Sequence, residues 1–278
     1  MKEFKSFYKS VGGNEGGKCH YNTRLDVYGC GCEHNCEYCY ARSLLAFRGL
    51  WRPDDPSVAD IHKIKRKLLS VPHETILRMG GMTDCFQPCE KNYKVAKQTI
   101  EAMNEYGIGY LIVTKSALIA SDEYVEIMDK NLAHIQISIT STDDETAKRY
   151  ENASPISERI KAIEKLQKAG FDVSIRLSPY LPQLVDLSVI NDIKCDKILV
   201  EFLRVNPFIE RTFHEIDLSE YTVKQSNYRH LSLEKKLKYL SDITIPQKSV
   251  CDDVDEHYDY FKNHFNYNSD DCCNLRRR

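Results

Sequence analysis

Apolar residues along the chain fall into two alternating kinds of stretch. Short continuous runs predict strands: Leu25-Asp-Val-Tyr28, Thr75-Ile-Leu-Arg-Met79, Tyr110-Leu-Ile-Val-Thr114, Ile135-Gln-Ile-Ser-Ile139, Phe171-Asp-Val-Ser-Ile-Arg-Leu177 and Lys197-Ile-Leu-Val-Glu-Phe-Leu203. Their length and β-branched content suit a sheet buried on both faces. Between them, apolar positions three and four apart predict helices. Tyr93, Ala96, Ile100 and Met103 stripe 91–106, which Gly107 ends, and Ile156, Ile160, Ile163 and Leu166 stripe a helix that stops at Gly170. Ser121-Asp-Glu starts a helix to about Lys130 with a capping hydroxyl and an acidic first turn. Further helical pieces cover 41–47, 61–69 and 232–240; the basic residues of 61–69 read as a solvated face. Strands alternating with helices predict a parallel β/α architecture. Periodicity alone does not choose between an open sheet and a barrel. In either, ligand chemistry collects directly after the strands.

Composition narrows the class. The chain has 278 residues, 42% of them hydrophobic, enough to bury a sizeable core. A net charge of -2 supplies no global field to recruit nucleic acid or membrane. The start, Met-Lys-Glu-Phe-Lys-Ser, lacks an apolar leader, and no apolar run is long enough to span a bilayer. A soluble, cytoplasmic protein without membrane contact is expected. There, eleven cysteines point to metal or redox work rather than a disulfide frame.

Those cysteines are not evenly spread. Cys30-Gly-Cys-Glu-His-Asn-Cys-Glu-Tyr-Cys39 contains Cys32, Cys36 and Cys39 as C-x3-C-x2-C, with Tyr38 before the last. Three thiolates on one loop reach three corners of a [4Fe–4S] cube and leave one iron open, whereas such clusters usually carry four protein ligands. Cys30 makes a fourth cysteine, so a closed zinc knot competes, although zinc typically takes two separated pairs. The loop follows the first predicted strand and precedes the first predicted helix.

The spacing, with its aromatic residue, resembles that of the radical S-adenosylmethionine (SAM) superfamily. The fuller run Tyr28–Arg42, ending Cys36-Glu-Tyr-Cys-Tyr-Ala-Arg42, and Gly81-Met-Thr-Asp-Cys-Phe-Gln-Pro88 resemble the branch containing spore photoproduct lyase and proteins labelled DNA repair photolyases. The resemblance implies a partial (β/α)6 barrel over about 24–245, after an irregular segment, 1–23, and before a Cys-rich tail, 246–278. It implies a [4Fe–4S] cluster on Cys32, Cys36 and Cys39, and SAM bound at the open iron, with Tyr38 near the adenine. Reductive cleavage of SAM to a 5′-deoxyadenosyl radical follows, fed by reduced flavodoxin or ferredoxin. Gly80 and Gly81 stand where the superfamily holds the SAM amino group. Met82 replaces the usual Glu there, leaving Thr83 or Asp84 to take its part. Cys85 is the candidate hydrogen-atom donor on this loop.

Other strand ends supply further candidates. Lys115 suits a carboxylate as a point charge, Ser138 offers a hydroxyl to ribose or carboxylate, and the fifth predicted strand places Arg176, able to clamp a carboxylate or phosphate, and Ser178 near the same rim. Arg204 and Asn206 follow the sixth. In the tail, Cys251, Cys272 and Cys273, completed by a histidine (His257 or His264) or Cys195, form a candidate auxiliary site for a second Fe–S cluster or zinc. The substrate expected from the resemblance is a nucleic-acid base or lesion. A peptide or small metabolite is the alternative, and a non-catalytic Fe–S or zinc module is the alternative of a different class.

Overall fold

The computed structural model describes residues 4–9 and 18–276. The glycine-rich turn expected at 12–17 lies outside them, apart from which the chain folds around one eight-stranded sheet. In chain order its strands are β1 (Phe7–Lys9), β2 (Thr23–Leu25), β3 (Ile76–Met79), β4 (Gly109–Thr114), β5 (Ala133–Ile139), β6 (Asp172–Tyr180), β7 (Lys197–Phe202) and β8 (Gln247–Val250). Their spatial order follows the sequence, and only β1 is antiparallel to its neighbour. The sheet curves into a partial barrel. Helices α1 (Tyr40–Phe47), α2 (Ile61–Leu68), α3 (Val95–Glu105), α4 (Asp122–Ile127), α5 (Ile156–Lys168), α6 (Leu187–Asp192), α7 (Pro207–Thr212), α8 (Leu233–Leu240) and α9 (Asp255–His264) complete the main elements.

Register explains where the core sits. Neighbours in a parallel ladder face the same side of the sheet. The row Met79–Ile112–Ile135–Val173 is aliphatic throughout and faces the helices. The alternate rows hold Arg78 beside Leu111 beside His134, Val113 beside Gln136, and Ser138 beside Arg176. The main hydrophobic core therefore lies between sheet and helices, while the concave side is largely polar. A much smaller apolar cluster, Leu111, Leu199, Cys273 and Leu275, fills part of that concave side.

Some boundaries differ from expectation. The first predicted strand, 25–28, is split: β2 ends at Leu25, and Tyr28–Gly29 pairs instead with Ser57–Val58 outside the main sheet. Buried Asp26, between the two pieces, interrupts the run to bond another loop. The helix expected at 91–106 breaks at Lys94, whose φ of 54° is left-handed, giving Glu90–Tyr93 and then α3. β1 and β8 add strands within the segments read as an irregular start and a tail. β8 is Gln-Lys-Ser-Val, too polar to announce itself, and its pairing with β7 makes it a strand. The chain end is tied beneath the barrel, where Asp172 accepts from His134, from Lys197 at 2.6 Å and from the Arg276 N–H at 2.8 Å. Among the described residues, no helix is long and apolar enough to cross a membrane.

Candidate active site at the C-terminal rim of the sheet

One cavity opens where the parallel strands end, and the residues of the strand-end loops converge on it. Cys32, Cys36, Cys39, Tyr38, Gly80, Gly81, Thr83, Asp84, Lys115, Ser138, Arg176 and Ser178 all line it. Cys30 does not, which separates the C-x3-C-x2-C triad from a four-cysteine knot.

Backbone bonds hold the triad loop. The Asn152 N–H donates to His34 O at 2.7 Å, Glu37 N–H to Tyr150 O at 2.9 Å, and Glu33 N–H to Gln87 at 2.9 Å. Cys39 caps α1, its sulfur accepting from the Arg42 N–H at 3.5 Å. Burial, and then the charge of Asp84, pushes the Cys32 thiol well up, while burial and Glu151 push Cys36 up to about 12. Lys115 works the other way on Cys36. Metal binding must therefore displace these protons. Three free thiols on one cavity wall, without a fourth, suit a [4Fe–4S] cluster with one open iron.

Tyr38 is buried, with its ring edge-on to Tyr150 and Phe213 at 5.7 Å from each, and its hydroxyl donates to Glu151. Glu151 also takes Arg159 at 2.5 Å and Thr140 at 3.0 Å, so a buried ion pair underlies the aromatic side of the loop. Burial opposes ionisation of Glu151, but Arg159 and Lys115 outweigh it and lower its pKa.

The Gly-Gly loop is pinned by a residue that sequence reasoning passed over. Buried Asp26 accepts from Gly81 N–H at 2.6 Å, Met82 N–H at 3.0 Å and Tyr8 hydroxyl at 2.9 Å. An acid inside an otherwise apolar run was its one signal. Gly80 has φ +84°, and a Cβ on Gly81 would meet the Tyr8 hydroxyl at 2.0 Å. Gly80 therefore needs glycine, and a side chain at Gly81 would have to displace Tyr8.

Several expected roles are corrected by these contacts. Thr83 donates its hydroxyl to Tyr28 O at 2.7 Å. Asp84 accepts from Thr114 hydroxyl, Phe86 N–H and Lys115 N–H, and pairs with His34 at 3.2 Å. Burial opposes its ionisation, yet His34 and these donors bring its pKa to about 2. Both residues line the cavity and also lock one loop to the next. Cys85, the candidate donor, is only 1% exposed, lies outside the cavity lining, and has its thiol pushed well up by burial and Asp84. It packs beneath the loop rather than facing a substrate. Asn206 caps α7, accepting from Phe208 and Ile209 N–H groups, and also stays out of the cavity.

On the far wall, Arg176 donates to Glu201 at 2.5 Å and Gln136 at 2.6 Å, and Ser178 donates to Glu201 at 2.9 Å. Burial opposes ionisation of Glu201, but Arg176, Arg204 and Arg78 lower its pKa to about 2. The Arg204 guanidinium lies 5.6 Å from the Tyr40 ring centroid, and both residues face the cavity. The Lys115 ammonium stands 5.6 Å from the Tyr38 ring centroid.

Comparison with known proteins bears on the fold and the family. A protein from Methanocaldococcus jannaschii is 28% identical over 58% of this chain and 61% of its own length. One from Mycobacterium tuberculosis is 27% identical over 56% of this chain and 49% of its own. The chain thus matches less than two thirds of either relative. The fold is similar to that of spore photoproduct lyase complexed with dinucleoside spore photoproduct, with a TM-score of 0.66 at 16% identity over 90% of this chain and 80% of that one. The family model described as "Radical SAM superfamily" matches residues 27–193, more than half the chain and including the whole triad loop. The chain belongs to the radical SAM superfamily.

Proposed function

We propose that this chain is an enzyme that holds a [4Fe–4S] cluster on Cys32, Cys36 and Cys39, cleaves SAM reductively, and acts on a nucleic-acid base. The observation that carries the cofactor assignment is the cavity itself, which gathers those three thiols, the Gly80–Gly81 backbone, Lys115 and Ser138 while leaving Cys30 out. When bound, cluster and SAM supply a 5′-deoxyadenosyl radical that takes a hydrogen atom from the substrate. Gly80 and Gly81 let the backbone approach the SAM amino group. Lys115 offers a charge to its carboxylate and Ser138 a hydroxyl to its ribose. The enclosing wall limits access of water to the reacting centre.

The nucleic-acid reading is favoured by Arg204 and Tyr40. They put an aromatic ring and a guanidinium, which also lies 5.9 Å from the Tyr228 ring, at the cavity wall, and these are the group types that recognise an unstacked base. Reduced flavodoxin or ferredoxin is the proposed electron donor. The exposed side chains of Tyr40, Leu44 and Phe47, on the helix directly after Cys39, give it a surface near the thiols. A cytoplasmic location, where such donors work, is part of the same proposal.

Anaerobic reconstitution with iron and sulfide, followed by electron paramagnetic resonance with and without SAM, tests the first half. A reduced-cluster signal that changes on adding SAM, together with 5′-deoxyadenosine production, is expected. Deuterium passing from labelled DNA or RNA oligonucleotides into 5′-deoxyadenosine is expected for the second half. Transfer only from peptides or small metabolites would move the substrate class. A protein indifferent to SAM would be a non-catalytic module.

A further inference from the structure

Away from the candidate active site, four cysteines from both ends of the chain meet on the concave side of the sheet. Cys251 follows β8 directly, with its N–H bonded to Val200 O at 2.9 Å. Ser249 pairs with Leu199 on the concave face, so strand alternation turns Cys251 to that face as well. Cys272 and Cys273 arrive on a turn built around Asp271. Its carboxylate accepts from the Cys273 N–H at 2.9 Å, the Leu275 N–H at 3.1 Å and the Tyr21 hydroxyl at 2.7 Å. Asn274 completes the turn with φ 47°. Cys19, just before Tyr21, comes from the other end. Cys251 and Cys272 both pack against the small cluster that contains Cys273. Cys19, Cys251 and Cys272 line one small cavity.

We propose that Cys19, Cys251, Cys272 and Cys273 form a second metal site, a closed structural tetrathiolate for a single zinc ion. Four thiols and no water position is the composition of a structural zinc site. Zn–S bonds of about 2.3 Å put tetrahedral sulfurs about 3.8 Å apart, the separation of sulfurs in contact. A cubane instead spreads its thiolates over separate irons, which does not suit adjacent ligands such as Cys272 and Cys273. Among the described residues no three ligating groups already surround a point at ion-binding distance, and this holds for the Cys32–Cys36–Cys39 set too. Rotation about Cα–Cβ must bring the sulfurs onto the ion, as staggered wells permit.

Zinc with four thiolates carries a net charge of about −2, and the cavity that Cys19, Cys251 and Cys272 line also holds Lys18, Arg78, Arg204 and Lys236 against Glu201, Asp252 and Asp253. The other ligands considered from sequence are engaged elsewhere. Cys195 contacts Val173 O and Lys197 O, His257 contacts Lys236, and His264 stacks on Tyr260. Zinc here would join the start of the chain, β8 and the final turn, where only the small cluster around Leu111 and Leu199 otherwise packs the concave face.

The zinc site stands whether or not the first site cleaves SAM, and the test separates them. Full-length protein carrying Cys32→Ala, Cys36→Ala and Cys39→Ala should lose its cluster iron yet retain about one zinc per chain. Cys251→Ser and Cys272→Ser should each lower zinc occupancy about tenfold or more, and Cys195→Ser should leave it unchanged. If the serine variants fail to fold, cobalt(II) loading of the triple-alanine protein provides the readout. Intense thiolate-to-cobalt absorption with tetrahedral ligand-field bands is expected. Iron–sulfide absorption persisting in the triple variant, a disulfide among these four cysteines, or cobalt bound without thiolate bands would each overturn the zinc assignment.

Discussion

The two thiol sets are built in opposite ways. Cys32, Cys36 and Cys39 occupy one loop between β2 and α1, so local sequence carries the whole set, and the fold only supplies the facing wall. Cys19, Cys251, Cys272 and Cys273 have no common segment; strand pairing and the Asp271 turn assemble them. A local set can persist when distant packing fails. A distributed set exists only when the chain is folded, so a metal bound there contributes directly to folding free energy. Between the sets stand Arg78, Glu201 and Arg204, which line both cavities.

Substitutions can break this contrast. The largest expected effect is from Cys36→Ala, which should abolish reductive SAM cleavage and the SAM-sensitive paramagnetic signal. Zinc content and thermal stability should change little. Cys272→Ser should do the converse, with its main effect in unfolding experiments.

Next comes the buried pair beneath the triad loop. Arg159→Ala leaves Glu151 charged and buried, and should cost about 3–5 kcal/mol in denaturant unfolding. Its bonds to Ser138 O and Ser154 O are lost as well. A loss below about 1 kcal/mol would show that the loop does not depend on this platform.

Glu201 sharpens the comparison through pH. Its folded pKa of about 2 lies below the ordinary value of 4.5. Its contribution is therefore fully present above about pH 4.5 and lost as pH falls through about 2. That contribution is at most about 3 kcal/mol. In Glu201→Gln, the fall in stability between those pH values should be shallower than in the parent, as measured by denaturant titration at stepped pH. An unchanged slope would remove Glu201 as the charge linking the two cavities.

Smaller effects belong to the Gly-Gly loop and the rim. Gly81→Ala should cost about 1–3 kcal/mol by overpacking against Tyr8 and should weaken SAM binding without removing the cluster. Ser178→Ala removes one hydrogen bond to Glu201 and should cost about 1 kcal/mol. Calorimetry of SAM binding and chemical unfolding of each variant provide the readouts.

Much of the fold was legible because the convex face of the sheet is aliphatic. Ile112, Ile135, Val173 and their row neighbours make continuous strand signals, and Ile156, Ile163 and Leu166 mark the helix that covers them. β1 and β8 were not legible. One is three residues long and the other largely polar, and each becomes a strand through its neighbour. Asp84 and Glu151 were silent as organisers, and Asp26 was marked only by standing in an apolar run, since a carboxylate's role depends on which distant donors surround it.

The sequence by itself determined the triad, its aromatic neighbour, the glycines after β3 and the alternation that makes a parallel sheet, because each depends on spacing within a few residues. Tertiary structure alone decided that Cys30 stays out of the cavity, that Cys85 is packed away from it, and that Cys19 rather than Cys195 joins the C-terminal cysteines. Those outcomes depend on strand register and on which buried charges find partners. Both are properties of the assembled chain, in which residues far apart in sequence share one small volume.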